Sequence, residues 1–223
     1  MENKKREEKQ IHPFVDKRIE DYCSKHHSNN NEILHDLERQ TYLQFIKPNM
    51  VSGAWQGELL MMICKILNPK RILEIGTFSG YATTCFALAS NEDCKIDTIE
   101  ALEEYKPFLI KKFSENNVIN KINLYIGQGL EVIPTLENKY DLIFLDAEKL
   151  HYPNYYPLLV EKLEKGGLLL ADNILWYGKV ALEDCNDKDT AAIRLFNDLV
   201  TQDERMENII VPIRDGVMIA RRR

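Results

Sequence analysis

Two acidic strand ends and a nearby lysine carry the strongest chemical signal in this chain. The apolar run YDLIFLD (140–146) leads into Asp146-Ala147-Glu148-Lys149, and GLLLAD (167–172) leads into Asp172-Asn173. Read as neighbouring strands, these runs would bring Asp146, Asp172 and Asn173 to one rim. Two carboxylates and an amide oxygen form a hard, all-oxygen donor set, which suits magnesium, manganese or calcium and not zinc. Three protein ligands leave about half of an octahedral shell for water and a chelating substrate. Lys149 stands three residues beyond Asp146, within reach of the same place. A metal-bound hydroxyl loses its proton easily, and close positive charge lowers a lysine pKa, so Lys149 is a candidate general base. An isolated Asp-Asn pair is usually a polar turn, and a lysine after a strand is usually on the surface. The joint occurrence of these positions argues for chemistry instead.

A second group of residues has the look of a binding loop. The run RILEI (71–75) continues into Gly76-Thr77-Phe78-Ser79-Gly80-Tyr81. Its two glycines, four apart, allow a tight turn and close approach of a ligand to the backbone. The spacing is not the GxGxxG of a dinucleotide site, and Glu74 just before the first glycine would repel a pyrophosphate. A carboxylate there suits a ligand with an ammonium or sulfonium charge, and S-adenosylmethionine carries both without any phosphate. Glu100 closes the next strand 24 residues after Gly76, near the ~20-residue interval at which an acid meets a ribose diol. The third strand ends in Gly127-Gln128-Gly129, either a contact for an adenine edge or a plain turn.

The elements that must position these groups alternate in type. RILEI (71–75), KIDTIE (95–100), INLYI (122–126), YDLIFLD and GLLLAD read as strands, separated by helix-like segments near 80–90, 102–116, 129–136 and 152–164. Continuously apolar strands fit a sheet covered on both faces. The pattern predicts an α/β fold with a Rossmann-like, doubly wound sheet. A helix over 188–202 and two runs, 208–213 and 216–222, predict a closing antiparallel hairpin across Arg214-Asp215-Gly216. Upstream, helical spacing predicts helices over 13–26 and 31–46, with Pro48 ending the second, and a third over 56–67. The division is a helical extension over 1–50 and an enzymatic domain over 51–223.

Composition narrows the partners. A net charge of −6 gives no help to a phosphate-rich partner, although Lys4-Lys5-Arg6 and Arg221-Arg222-Arg223 gather basic charge at the ends, where they read as solvated tails. No apolar stretch approaches the ~20 residues of a membrane span. The first ten residues are nearly all polar, so no secretory signal is expected. Five scattered cysteines without a CxxC pair read as reduced thiols. The expectation is a cytoplasmic protein with no membrane or nucleic-acid partner.

At these residues the chain resembles the cation-dependent class I O-methyltransferases, which include catechol O-methyltransferase and the bacterial enzymes like caffeoyl-CoA O-methyltransferase. The matching segments are Ser52-Gly53-Ala54-Trp55-Gln56-Gly57, EIGTFSGY (74–81), Glu100, DAEK (146–149), DNILWYGKV (172–180) and RDGVMIA (214–220). They follow the family order over roughly residues 35–223. The resemblance implies a seven-stranded sheet with a reversed final hairpin, and a homodimer. It implies a metal at Asp146, Asp172 and Asn173, with Lys149 taking the hydroxyl proton. It also implies a cofactor site lined by Glu74, Gly76, Phe78 and Glu100, with Gly53 near the methionine end. Ser52, Ala82, Gln128, Gly129 and Asp146 complete the candidate cofactor set. The chain departs from the pattern at Ala82, where many relatives have serine, at Gln128, where an acid is usual, and at Glu148, where aspartate is common.

The expected reaction is in-line transfer of a methyl group to a hydroxyl of a small catechol-like diol, since a metal is a template for two vicinal oxygens. Trp176 is the candidate aromatic wall for a flat acceptor, with Tyr177 a weaker one, and Trp55 could cover the site. Tyr152, Tyr155 and Tyr156 read as packing or interface residues, and His26-His27 as an exposed helix end. A hydroxylated uridine of transfer RNA is the alternative acceptor. A nicotinamide-dependent dehydrogenase is opposed by Glu74 and the missing third glycine. A non-catalytic cofactor-binding protein is opposed by the presence of every group catalysis needs.

Overall fold

The structure is a computed structural model and describes residues 14–27 and 31–223. The basic run at residues 4–6 and the first residue of the predicted 13–26 helix lie outside that range. Seven strands form one sheet: β1 (Arg71–Ile75), β2 (Lys95–Glu100), β3 (Ile122–Ile126), β4 (Tyr140–Leu145), β5 (Leu163–Asp172), β6 (Met206–Val211) and β7 (Val217–Arg222). Their order is β3-β2-β1-β4-β5-β7-β6. Strands β1 to β5 pair in parallel, whereas β7 runs antiparallel to both β5 and β6. The predicted doubly wound sheet with a reversed hairpin is therefore present. The chain leaves β1 toward β2 on one side, and β4 flanks it on the other. The crevice beyond those carboxyl ends is where such sheets bind ligands.

The helices are α1 (Lys17–Lys25), α2 (Glu32–Gln44), α3 (Gly53–Leu67), α4 (Tyr81–Ala89), α5 (Lys106–Glu115), α6 (Gly129–Val132), α7 (Tyr152–Lys162) and α8 (Lys188–Gln202). Successive strand residues face opposite layers. Ile143 packs with Tyr152, Leu159 and Phe196 on one face, and Phe144 packs with Leu60, Phe86 and Phe113 on the other. Burial on both sides explains why the central strands are apolar at every position. A third cluster joins Leu34 and Leu37 of α2 to Val51, Met61, Tyr81 and Cys85, so the N-terminal helices lie against α3 and α4. All five cysteines are free, and four are buried. Among the described residues no helix is long and apolar enough to cross a membrane.

Several boundaries differ from the sequence reading, each for a local reason. Helix α2 stops at Gln44, and Pro48 opens a separate 3-10 turn over Pro48–Met50. Helix α3 starts three residues before position 56, because Gly53 takes φ +71° and turns the chain into the helix. In the 102–116 segment a 3-10 turn precedes α5, whose Pro107 fills a first-turn position where no amide donor is needed. Strand β5 starts at Leu163, and its register on β4 jumps from Tyr140↔Leu163 to Leu142↔Leu168. Strand β6 ends at Val211, because Pro212 has no N–H to offer β7.

Candidate active site

The loop after β1 is built around one close approach. Gly76 has φ +100°, and a Cβ there would lie 1.9 Å from the Asp146 carbonyl oxygen. The Asp146 amide donates to the Ile75 carbonyl at 2.9 Å, which pins the ends of β1 and β4 together. Only glycine permits that contact. Glu74 is wholly buried beneath the loop, and its Oε2 accepts from the hydroxyls of Thr83 and Thr98. Its Oε1 has no partner among the described residues. Burial pushes the Glu74 carboxyl up to about 8. A buried, half-satisfied carboxyl of this kind is the natural counterpart of a cationic ligand group.

Glu100, at the end of β2, accepts from the Phe78 amide at 2.7 Å and the Leu102 amide at 2.9 Å. Burial raises its pKa. Each oxygen keeps a second lone pair, which a ribose hydroxyl can use. Phe78 itself has φ +51°, held by this bond. Its ring meets Phe45 at 4.8 Å and Tyr105 at 5.9 Å. A narrow cleft there is lined by Ser52, Gly76, Phe78, Ala82 and Asp146. Glu74, Gly53, Gln128 and Gly129 lie outside its lining. Gly53 starts α3, and Gln128 caps α6 beside the Glu100 carbonyl, which accepts from Gly127 at 2.9 Å. The Phe45 and Tyr105 rings escaped the sequence reading, because neither sits in a motif.

At the ends of β4 and β5, Lys149 Nζ lies 2.7 Å from Asp146 Oδ1 and 2.9 Å from the Tyr152 hydroxyl. The fully buried Tyr152 hydroxyl also lies 3.0 Å from the Leu145 carbonyl and 3.1 Å from the Asp172 carbonyl. It thereby spans both strand ends and holds the lysine between them, a role beyond the packing expected for it. Gln56, 1% exposed on α3, donates to Asp172 Oδ2 at 2.8 Å, and the Asn173 amide donates to Asp172 Oδ1 at 2.8 Å. Burial, then the Asp146 charge, push Asp172 up to about 6. Burial also pulls the Lys149 ammonium down. Asp146, Tyr152 and Asp172 outweigh it and hold the lysine above its usual range. That is opposite in direction to the lowered pKa expected from the sequence, which presumed a neighbouring cation. Among the described residues no three His, Cys, Asp or Glu side chains are grouped to hold a metal. Of the three residues expected to hold a metal, two are carboxylates, and Asn173 could offer only its side-chain amide oxygen.

Asn173 (φ +57°), Trp176 (φ +46°) and Tyr177 (φ +56°) turn the chain sharply after β5. Asp215, on the β6–β7 hairpin, accepts from the Tyr177 amide, and burial pushes it up to about 6. Beside this turn lies a cavity of about 250 Å³ with Trp55, Asn173, Tyr177 and Asp215 in its walls, closed on one side by Phe14 and Val15. Trp176 packs on the core cluster with its ring 5.5 Å from Tyr177, and it is Tyr177 and Trp55 that line the cavity. Helix spacing in the sequence could not reveal that α1 borders this space.

A sheet of this order, with an acid before the glycine loop and a second acid closing β2, defines a nucleoside-binding transferase of the class I methyltransferase type. The O-methyltransferase family profile matches residues 24–223. The Dictyostelium discoideum protein named "Probable caffeoyl-CoA O-methyltransferase 2" is 32% identical over 197 residues, covering 83% of this chain and 85% of that one. Among solved structures, the S-adenosylhomocysteine-bound methyltransferase PaMTH1 of Podospora anserina superposes with a TM-score of 0.87 at 27% identity, over 96% of this chain and 98% of that one. The O-methyltransferase TomG of Streptomyces achromogenes, in complex with S-adenosylmethionine, gives 0.84 at 26% identity, over 92% and 96%. The chain belongs to this family and is an S-adenosylmethionine-dependent O-methyltransferase.

Proposed function

We propose that the chain methylates one hydroxyl of a small aromatic vicinal diol, with a divalent cation held by Asp146, Asp172 and Asn173. The observation that carries this reading is the buried Asp172 and the partly buried Asp146 at adjacent strand ends, with Lys149 locked beside Asp146. The donor set fits a hard cation. Burial, then the Asp146 charge, push Asp172 up, and a divalent charge is what would let both acids stay ionised together. Magnesium bound there would act as a Lewis acid that lowers the pKa of an acceptor hydroxyl.

The remaining work falls to the chain. Ser52, Gly53, Glu74, Gly76, Phe78 and Ala82 would hold the methionine half of the cofactor. Glu100 would take the ribose diol, and Gln128 and Gly129 would border the adenine. Lys149 Nζ would receive the acceptor proton, with Tyr152 fixing its position. Accepting a proton requires a neutral lysine, whereas Asp146 now holds it charged. The base role of Lys149 therefore depends on Asp146 being drawn to another cation, and the two assignments stand or fall together. Aligning both reactants can supply ~7–11 kcal/mol. Residues 51–223 would form the catalytic domain and 1–50 an extension, in a cytoplasmic homodimer.

The test is transfer from labelled S-adenosylmethionine to catechol, with magnesium and with EDTA, beside the same assay on bulk transfer RNA. The expected outcome is label in catechol that EDTA abolishes and added magnesium restores. Full transfer in EDTA would overturn the metal role. Label in RNA alone would overturn the small diol.

A further inference from the structure

Arg214 stands in the wall of the cavity of about 250 Å³, the one cation among its described lining residues, on the turn between β6 and β7. Its φ of +50° is a backbone region that a side-chain-bearing residue enters at a cost. The residue is held there by its guanidinium. Nη1 donates to the Val51 and Ser52 carbonyls, which precede α3 and border the cofactor cleft. A guanidinium has five N–H donors in a rigid fork. The three on Nε and Nη2 have no hydrogen-bond partner among the described residues, and no carboxylate there lies within ion-pair distance of Arg214. The acids of the same cavity lie beyond ion-pair distance, although the Arg214 charge reaches Asp215. Asp215 accepts from the Tyr177 amide, and Glu20 faces Lys17 at 3.6 Å. The free edge of the fork matches the two oxygens of a carboxylate, which it binds through parallel charge-assisted bonds.

From this geometry we infer that Arg214 selects an aromatic diol that also carries a carboxylate. The inference rests on the small-diol reading above and narrows it. A cavity of about 250 Å³ has the size for a single-ring acid. Trp55 and Tyr177 offer faces for the ring, while Asn173 and Asp215 mark the polar end beside Arg214.

The experiment compares 3,4-dihydroxybenzoate with the neutral, near-isosteric 3,4-dihydroxybenzamide, in the wild-type full chain and in Arg214→Gln and Arg214→Lys. The wild type is expected to prefer the acid in kcat/KM by about ten- to a hundredfold, the size of a charge-assisted pair. Arg214→Gln should bring the ratio of the two substrates near one, whatever its absolute rate. Arg214→Lys should keep part of the preference, because it keeps the charge and loses the fork. A wild-type ratio near one would overturn the inference, and this reading needs no variant to fold. Equal loss on both substrates in Arg214→Gln would overturn it too, leaving the arginine as a tether for the Val51–Ser52 loop. If the wild type methylates neither diol, the small-diol reading falls and takes this inference with it.

Discussion

The two ends of the sheet are built to different standards. At the amino ends of the strands, left-handed backbone falls on Asn68 and Asn117, residues that adopt it at little cost. Charges there are matched. Asp141 accepts from the Lys70 and Arg71 amides, and Arg205 beside Asp203 holds that carboxyl well below its usual range. At the carboxyl ends the same backbone region is occupied by Phe78, Asn173, Trp176, Tyr177 and Arg214. Burial raises Glu74, Glu100, Asp172 and Asp215 together. Glu74 Oε1, Ser79 Oγ and Trp176 Nε1 are buried there without partners among the described residues. The amino end is largely settled by contacts within the chain, Asn116 Nδ2 being the exception, while the other holds strain and unmatched charge that a ligand can relieve. Stability and chemistry thus draw on opposite edges of one sheet.

That contrast can be broken in several ways. The largest effect is expected from Gly76→Ala, whose new methyl would overlap the Asp146 carbonyl. Loss of S-adenosylhomocysteine binding and a lowered melting temperature should accompany each other, because one contact joins both halves of the site. Retained binding would show that the strand ends can part. Next comes Lys149→Ala, expected to cut methyl transfer about 10²- to 10⁴-fold, the range of general-base catalysis. Its melting temperature without metal should fall, because Asp146 and Asp172 lose the cation that offsets their charges. A folded Lys149→Ala protein that still transfers methyl at the wild-type rate would remove the base role.

The ends should also respond oppositely to pH. Between about 4.5 and 8, folded Glu74 keeps a proton that the unfolded chain has lost, so this group makes ligand-free stability fall as pH rises. Asp203 has the reverse sign: its contribution is present above the ordinary carboxylate range and is lost as pH falls toward its lowered folded value. Urea unfolding at about pH 5 and about pH 8 should show a weaker fall in Glu74→Gln than in wild type. An unchanged slope would mean that water reaches Glu74. The smallest effect is expected from Asp203→Asn, at most about 1 kcal/mol of stability given the exposure of Arg205. Methyl transfer should stay at the wild-type rate in that variant, and a drop would erase the division between the two ends.

The fold was legible because its signals are local and repeated. Apolar runs such as LIFL and LLLA must be buried on both faces, and alternation with helices then leaves few topologies. Glu74, Gly76, Glu100, Asp146, Lys149, Asp172 and Asn173 could be placed at one rim because each sits at or just past a strand end, where chain direction alone carries the chain there. Boundaries were read less well where a single proline or glycine intervened, as at Pro48, Gly53 and Pro212.

What the amino-acid sequence determined by itself was the kind of sheet and the residue types gathered beyond the carboxyl ends of its strands, because strand periodicity and motif spacing act over a few residues. Only the tertiary structure decided that Tyr152 spans two strand ends to hold Lys149, that Gln56 caps Asp172, and that Arg214 reaches Val51 and Ser52 across 163 and 162 positions of chain. It also decided that Lys149 is held charged, and that Trp55 and Tyr177 rather than Trp176 line the cavity. These are properties of packing between distant segments, where burial and the sum of nearby charges set the outcome, and neither quantity exists until the chain has folded.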